Sequence, residues 1–168
     1  MPTTRTLSAT FIEPGPDAGD RLRIKATTES GFDLGFDTLS APEGGIGPGP
    51  TEAILASLAA CTAMDVASIL RKKRQRVESY RIQVTAQQAE AHPQVYVAIS
   101  VEHQVAGDVT AESLRRSIEL SATAYCPVSA MLSGSVPIDH RYRLQRDGAD
   151  EEIGLAAHTG PYRKSARA

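Results

Sequence analysis

Hydrophobic and polar positions alternate with a period of two along much of the chain, and two stretches switch to a helical period. Residues 5–12 (RTLSATFI) alternate weakly, as an edge strand does. Residues 21–28 alternate clearly, with Leu22, Ile24 and Ala26 on one face and Arg21, Arg23 and Lys25 on the other. The next run sets Phe32, Leu34 and Phe36 against Asp33, Gly35 and Asp37. Glu29, Ser30 and Gly31 between these runs give a short hairpin signal. With a turn over Pro14 to Gly19, the pattern predicts a three-stranded meander. Residues 41–50 (APEGGIGPGP) then form a shaped Gly/Pro-rich turn. It lacks the lysine and spacing of a phosphate-binding loop, and its prolines remove amides such a loop needs.

The longest apolar stretch is Pro50 to Arg74 (PTEAILASLAACTAMDVASILRKKR). Pro50 suits a first helical position, Glu52 the positive end and the basic run from Arg71 the negative end. At 100° per residue, Cys61 shares a stripe with Ile54, Ser57, Leu58, Met64, Asp65 and Ser68, while Leu55, Ala59, Val66 and Leu70 lie opposite. A helix apolar on nearly all sides needs cover on all sides. The pattern therefore predicts a long buried helix at the centre of an intimate homodimer. A membrane span is the alternative, disfavoured by the central Asp65 and the Ala- and Ser-rich composition.

Two further strands follow, one carrying Ile82, Val84 and Ala86, the other Val95, Val97, Ile99, Val101, His103 and Val105. Thr110 caps a second helix with an inner face of Ala111, Leu114, Ile118, Ala122 and Tyr125. Pro127 ends that helix at Tyr125 or Cys126 and starts a short one, PVSAML. Val136, Ile138, His140, Tyr142 and Leu144 mark a last strand. The predicted order is βββ–α–ββ–α–α–β, an α+β fold with antiparallel sheet. It forms one domain over residues 1–146, and residues 147–168 read as a polar tail on the surface.

Charge and cysteine usage narrow the function classes. The chain has 168 residues and a formal net charge of −2. Mixed charge points to neither nucleic acid nor a membrane surface as partner. The first residues, MPTTRTLSATF, carry no apolar signal core, so a cytoplasmic setting is expected. Two cysteines, 65 positions apart, match neither a zinc spacing nor a CxxC motif.

Candidate chemistry centres on those thiols. Cys61 reads either as a small core residue or as a nucleophile. Asp65, one turn on, would raise its pKa rather than lower it, so activation needs a cation from elsewhere. Cys126 stands at the start of a short helix, and reads either as a thiol that a positive helix end favours as thiolate or as a buried N-cap-like residue with no chemistry. His103 and His140 read as half-buried structural histidines, and the basic run of residues 71–76 as a solvated helix end. No HExxH or GxSxG pattern appears.

The stretches GPGPTEAILASLAACTAMDVASILRKKRQ and IELSATAYCPVSAMLSGSVPI resemble the two cysteine motifs of the OsmC/Ohr family, the osmotically inducible and organic hydroperoxide resistance proteins. AEAHPQVYVAISVEHQV resembles the strand pair between them, and the general OsmC-like branch is the nearer match. The resemblance spans residues 22–145. It implies an intertwined homodimer with sites at the subunit interface. It implies that Cys61 attacks an organic hydroperoxide to give a sulfenic acid and that Cys126 resolves it as a disulfide. A dithiol, such as one on a lipoylated protein, would then reduce the pair, with no metal and no other cofactor. In the peroxidase pattern a Glu ten residues before the first cysteine orients an activating Arg. Here Thr51 holds that position, Glu52 is nine before, and no Arg has a secure counterpart. Nine helical residues put Glu52 on the opposite face, about 13 Å along the axis. Glu52 is kept as the third candidate catalytic residue. Two readings compete with the peroxidase: a redox-responsive or apolar-ligand-binding dimer without catalysis, and a structural dimer with inert thiols.

Overall fold

The computed structural model describes residues 4–12, 21–38, 44–146, 148 and 150–161. The chain divides into two compact units, Met1–Ile54 and Leu55–Ala168.

The first unit holds the expected meander. Strands β1 (Leu7–Ile12), β2 (Arg23–Thr28) and β3 (Asp33–Asp37) pair antiparallel in that order. The β2–β3 turn closes where Gly31 takes a φ of 86°, with its N–H donating to the Thr28 carbonyl at 2.9 Å. Facing residues share a side of a sheet, so Phe11, Ile24 and Phe36 form one row, and Ala9, Ala26 and Leu34 the next. This apolar face is incompletely covered in the single chain: Phe11 and Leu34 are exposed. On the other face Arg23 Nε meets the buried Asp37 carboxylate at 3.3 Å. The Gly/Pro turn runs against β3, and a Cβ on Gly35 would collide with the Ile46 carbonyl. The turn expected over Pro14–Gly19 and residues 41–43 lie outside the described residues.

Helix α1 (Pro50–Lys72) carries the chain into the second unit. Its first turn is held by Glu52, whose Oε2 accepts from the Gly49 N–H at 2.9 Å, as the third helical residue does in a capping box. The second unit continues with β4 (Arg76–Gln88), β5 (Tyr96–Asp108), α2 (Ala111–Leu120), α3 (Pro127–Ser133), β6 (Ile138–Gln145) and β7 (Glu152–Thr159). The Thr110 cap forms as expected, its hydroxyl accepting from the Ser113 N–H at 3.2 Å. The α+β class holds, with four corrections in the detail.

The sheet order is β4-β5-β6-β7, and β5 pairs parallel with β6. The sheet is mixed rather than antiparallel, because α2 and α3 form a crossover long enough to return the chain in the same direction. Second, residues 152–159 are a strand, not a loose tail: β7 pairs antiparallel with β6. Its alternation was hidden because it includes Gly154 and two alanines, and because Ile153 and Leu155 point outward.

Third, α2 does not end as a regular helix. Residues Ser121–Tyr125 form one π-helical turn, closed by the Cys126 N–H donating to the Ser121 carbonyl at 2.9 Å. The wider turn breaks the 3.6 period, so Leu114, Ile118 and Ala122 are buried while Tyr125 is exposed. Pro127 then forces Cys126 into extended geometry (φ −74°, ψ 107°).

Fourth, α1 is not buried all round in the single chain. Its buried residues are Leu58, Thr62, Val66 and Leu70, one stripe at i, i+4 spacing, and Met64 is 73% exposed. By length and composition α1 could cross a membrane. Its buried stripe instead packs into two apolar clusters of the second unit. One joins Val66 and Leu70 to Val105, Val109, Leu114, Ile118, Tyr142 and Leu144. The other joins Leu58 to Ile99, Val101, Val136 and Ile138.

The β7 correction is testable at Gly154, which lies opposite Tyr142. A Cβ there would sit 2.7–2.8 Å from ring atoms of Tyr142, whose hydroxyl donates to Glu152 at 3.0 Å. Gly154→Ala is expected to destabilise the fold by about 1–3 kcal/mol through overpacking. A urea melt checks this, and an unchanged midpoint would remove β7 from the packed structure.

Candidate functional site

Three elements of the second unit bring the chemistry together. Cys61 lies in the middle of α1, with Asp65 one turn later on the same side. Cys126 is the N-cap of α3, delivered there by the π-turn and Pro127. The two Sγ atoms and a carboxylate oxygen of Asp65 all lie within 4.8 Å of one another. Cys61 is half-buried, and Cys126 is 2% exposed. Both are free thiols.

Asp65 and Cys126 are each held by a neighbour from the crossover. Ser121 Oγ, in the π-turn, donates to Asp65 Oδ2 at 3.0 Å. Cys126 Sγ accepts from the Ser129 N–H at 3.3 Å. Ser129 Oγ donates to the Ala122 carbonyl at 3.4 Å and lies 3.5 Å from His140 Nε2. His103 stacks on His140 at a ring separation of 6.2 Å, and its Nδ1 shares a 2.7 Å hydrogen bond with the Tyr80 hydroxyl. Burial, with the Asp65 carboxylate as a second cause, raises the Tyr80 pKa, so this phenol keeps its proton.

The electrostatics of Cys126 run against the expectation from its helix-start position. Burial and the adjacent Cys61 push its pKa up to about 12, although the Ser129 N–H works the other way. A 7-residue helix end does not offset desolvation beside a second sulfur. Among the described residues Asp65 makes no ion pair, so the cation that Cys61 would need is not supplied at this cluster.

Of the three candidate catalytic residues, Cys61 and Cys126 come together. Glu52 belongs to the other compact unit, where it caps α1. His103 and His140 are fully buried, not half-buried. Ser121, Ser129 and Tyr80 escaped the sequence reading. Ser121 and Ser129 flank a cysteine on a Pro-interrupted helix, which was a usable signal. Nothing in the sequence pairs Tyr80 with His103.

Two thiols and a carboxylate gathered by helices on one face of a mixed sheet define a dithiol protein of the α+β class. The chain belongs to the OsmC-like protein family, whose model matches residues 42–141. Protein YhfA of Escherichia coli is 36% identical over 98 residues, which cover 58% of this chain and 73% of that protein. Two solved structures share the fold. The OsmC-like protein from Mycoplasma pneumoniae is 17% identical with a TM-score of 0.70, over 86% of this chain and 99% of that one. An organic hydroperoxide resistance protein from Elizabethkingia anophelis is 17% identical with a TM-score of 0.58, over 88% of this chain and 100% of that one.

The histidines beneath the thiols give a pH prediction. Burial lowers His103 to about 3, with the His140 charge as a second cause. Burial likewise lowers His140 to about 4, with His158 adding to the shift and Asp139 opposing it. Their contribution to stability is fully present above the unfolded value near 6.5 and is lost as pH falls through the folded values. Between those limits the unfolded chain binds up to two more protons than the folded one. Stability is then expected to fall by up to about 2.7 kcal/mol per pH unit. Urea midpoints at pH 7, 6 and 5 check this, and His140→Gln should make the decline shallower. A midpoint that does not move between pH 7 and 5 would contradict the buried neutral pair.

Proposed function

We propose that this protein reduces organic hydroperoxides through its thiol pair, as a cytoplasmic homodimer. One observation carries the reading: two cysteines 65 positions apart meet, one half-buried and one buried. That asymmetry supports a division of roles. Cys61, open to solvent, attacks the terminal oxygen of ROOH as a thiolate; the O–O bond breaks, and with one proton the products are Cys61–SOH and ROH. The Cys126 sulfur then attacks the Cys61 sulfur, displacing water and forming the disulfide. A dithiol reductant, such as a lipoyl group, exchanges with that disulfide and restores both thiols. The raised pKa of Cys126 keeps it protonated until Cys61 has reacted, so it does not compete as the first nucleophile. Fold neighbours named for organic hydroperoxide resistance support the substrate class.

The homodimer reading rests on surfaces that one chain leaves uncovered. Phe11 and Leu34 on the first sheet and Met64 on α1 are exposed, and apolar patches of this kind mark interfaces. The activating cation for Cys61 would come from such a partner. A second reading keeps the dimer and the thiols but no turnover. It is favoured by the absence, among the described residues, of an ion pair at Asp65.

The test is peroxide consumption by the reduced protein with cumene hydroperoxide and dihydrolipoamide. Wild type should turn over, Cys61→Ser should fall to the buffer rate, and Cys126→Ser should consume one equivalent and stall. Wild type at the buffer rate sinks the peroxidase reading, and a disulfide formed without turnover selects the redox-responsive one. In sedimentation, wild type should run at the dimer mass and Met64→Asp should shift toward the monomer. A wild-type monomer would remove the dimer.

A further inference from the structure

The same cluster has the donor set of a thiophilic metal site, which neither the sequence spacing nor the family resemblance suggested. We propose that the reduced protein binds one Zn²⁺ ion through Cys61, Asp65 and Cys126, with solvent in the fourth position, and that the ion shields the thiols from oxidation. The inference needs only the reduced thiols and stands apart from the peroxidase reading.

Geometry is the first support. Zinc binds sulfur at about 2.3 Å and carboxylate oxygen at about 2.0 Å, so tetrahedral donors lie roughly 3.5–3.8 Å apart. The three donor atoms are already within 4.8 Å, and an approach of at most about 1.3 Å closes the set. Side-chain torsions of two cysteines and an aspartate supply that movement without moving α1 or α3. Two thiolates with one carboxylate favour zinc over magnesium or calcium, which take oxygen donors.

Orientation is the second support. A metal site requires its ligands to be held by outer hydrogen bonds. Here Ser121 Oγ holds Asp65 Oδ2, and the Ser129 N–H holds Cys126 Sγ. Charge is the third. Two neighbouring thiols beside a carboxylate ionise together only against a cation, and no ion pair to Asp65 is present among the described residues. On binding, both thiols release their protons to solvent, Zn²⁺ gains two Zn–S bonds and one Zn–O bond, and no electron moves. The half-buried side of Cys61 is the entry path. A zinc-bound thiolate has its nucleophilic lone pair engaged, which slows attack on a peroxide or an alkylating reagent.

The experiment uses the full chain, reduced and metal-free under argon. Zn²⁺ is titrated against a chromophoric chelator, and Co²⁺ serves as the spectroscopic probe. The expected result is one equivalent per chain, a sulfur-to-cobalt charge-transfer band, and slower iodoacetamide labelling of Cys61 once zinc is added. Asp65→Asn should weaken binding by at least about tenfold, and Ser121→Ala by roughly tenfold through the outer hydrogen bond. Wild type oxidised to the disulfide by diamide should not bind and should recover on reduction, a control that needs no variant to fold. The proposal is overturned by no stoichiometric binding, by binding that survives oxidation to the disulfide, or by Asp65→Asn binding as tightly as wild type.

Discussion

A band of polar side chains crosses the core of the second unit, and the placement of both thiols depends on it. On α1, Thr62 lies between Leu58 and Val66; on β5, His103 lies between Val101 and Val105; on β6, His140 lies between Ile138 and Tyr142. In each element the residue before belongs to one apolar cluster and the residue after to the other. Ser117, Ser121 and Ser129 from the crossover are buried with them. Burying such groups is costly unless they are bonded, at about 1–3 kcal/mol for each one left unsatisfied. The band meets most of that demand internally. Thr62 donates to the Leu58 carbonyl at 2.9 Å, Ser117 to the Ser113 carbonyl at 2.6 Å, and Tyr80 shares a bond with His103. His103 Nε2 and His140 Nδ1 have no partner among the described residues, which concentrates the remaining cost at the stacked rings.

The π-turn is where the band and the thiol site join. A regular continuation of α2 would have kept Ala122 and Tyr125 on one face, as the 3.6 period required. Widening by one residue instead frees the Ser121 hydroxyl for Asp65 and turns Tyr125 outward. Pro127 then cannot donate to the turn before it, and Cys126 becomes the cap of α3 with its sulfur toward α1. A single local irregularity thus sets the distance between residues far apart in sequence. π-turns of this sort recur at functional sites because the inserted residue re-aims its neighbours.

How much of this was legible in the sequence differs by interaction range. The meander, α1, the Thr110 cap and the stop before Pro127 rest on local rules, and those rules held within a residue or two. What failed was non-local. The parallel pairing of β5 with β6 depends on where the crossover lands. The strand β7 depends on Tyr142 lying over Gly154, a small residue that reads as loop without its partner. The pairing of Cys61 with Cys126 was legible only through the family resemblance, since their separation carries no spacing signal. Glu52, kept as a candidate although helical spacing puts it on the face opposite Cys61, has a local capping role that its position three residues after Gly49 already allowed.

The two apolar sides of α1 now have separate explanations. The stripe Leu58–Thr62–Val66–Leu70 is buried within the chain, so intramolecular packing alone accounts for one side. Met64, two residues beyond Thr62 and 73% exposed, belongs to the other. Cys61 and Asp65 lie along the helix with Met64 directly between their turns, at the margin of that uncovered surface. Whatever covers Met64 therefore also sets the solvent access of Cys61, which is half-buried in the single chain. A partner that covered Met64 with apolar surface would narrow the path by which a reagent reaches the Cys61 sulfur. Access to the Cys61 thiol and burial of the second side of α1 are, in this fold, one packing problem.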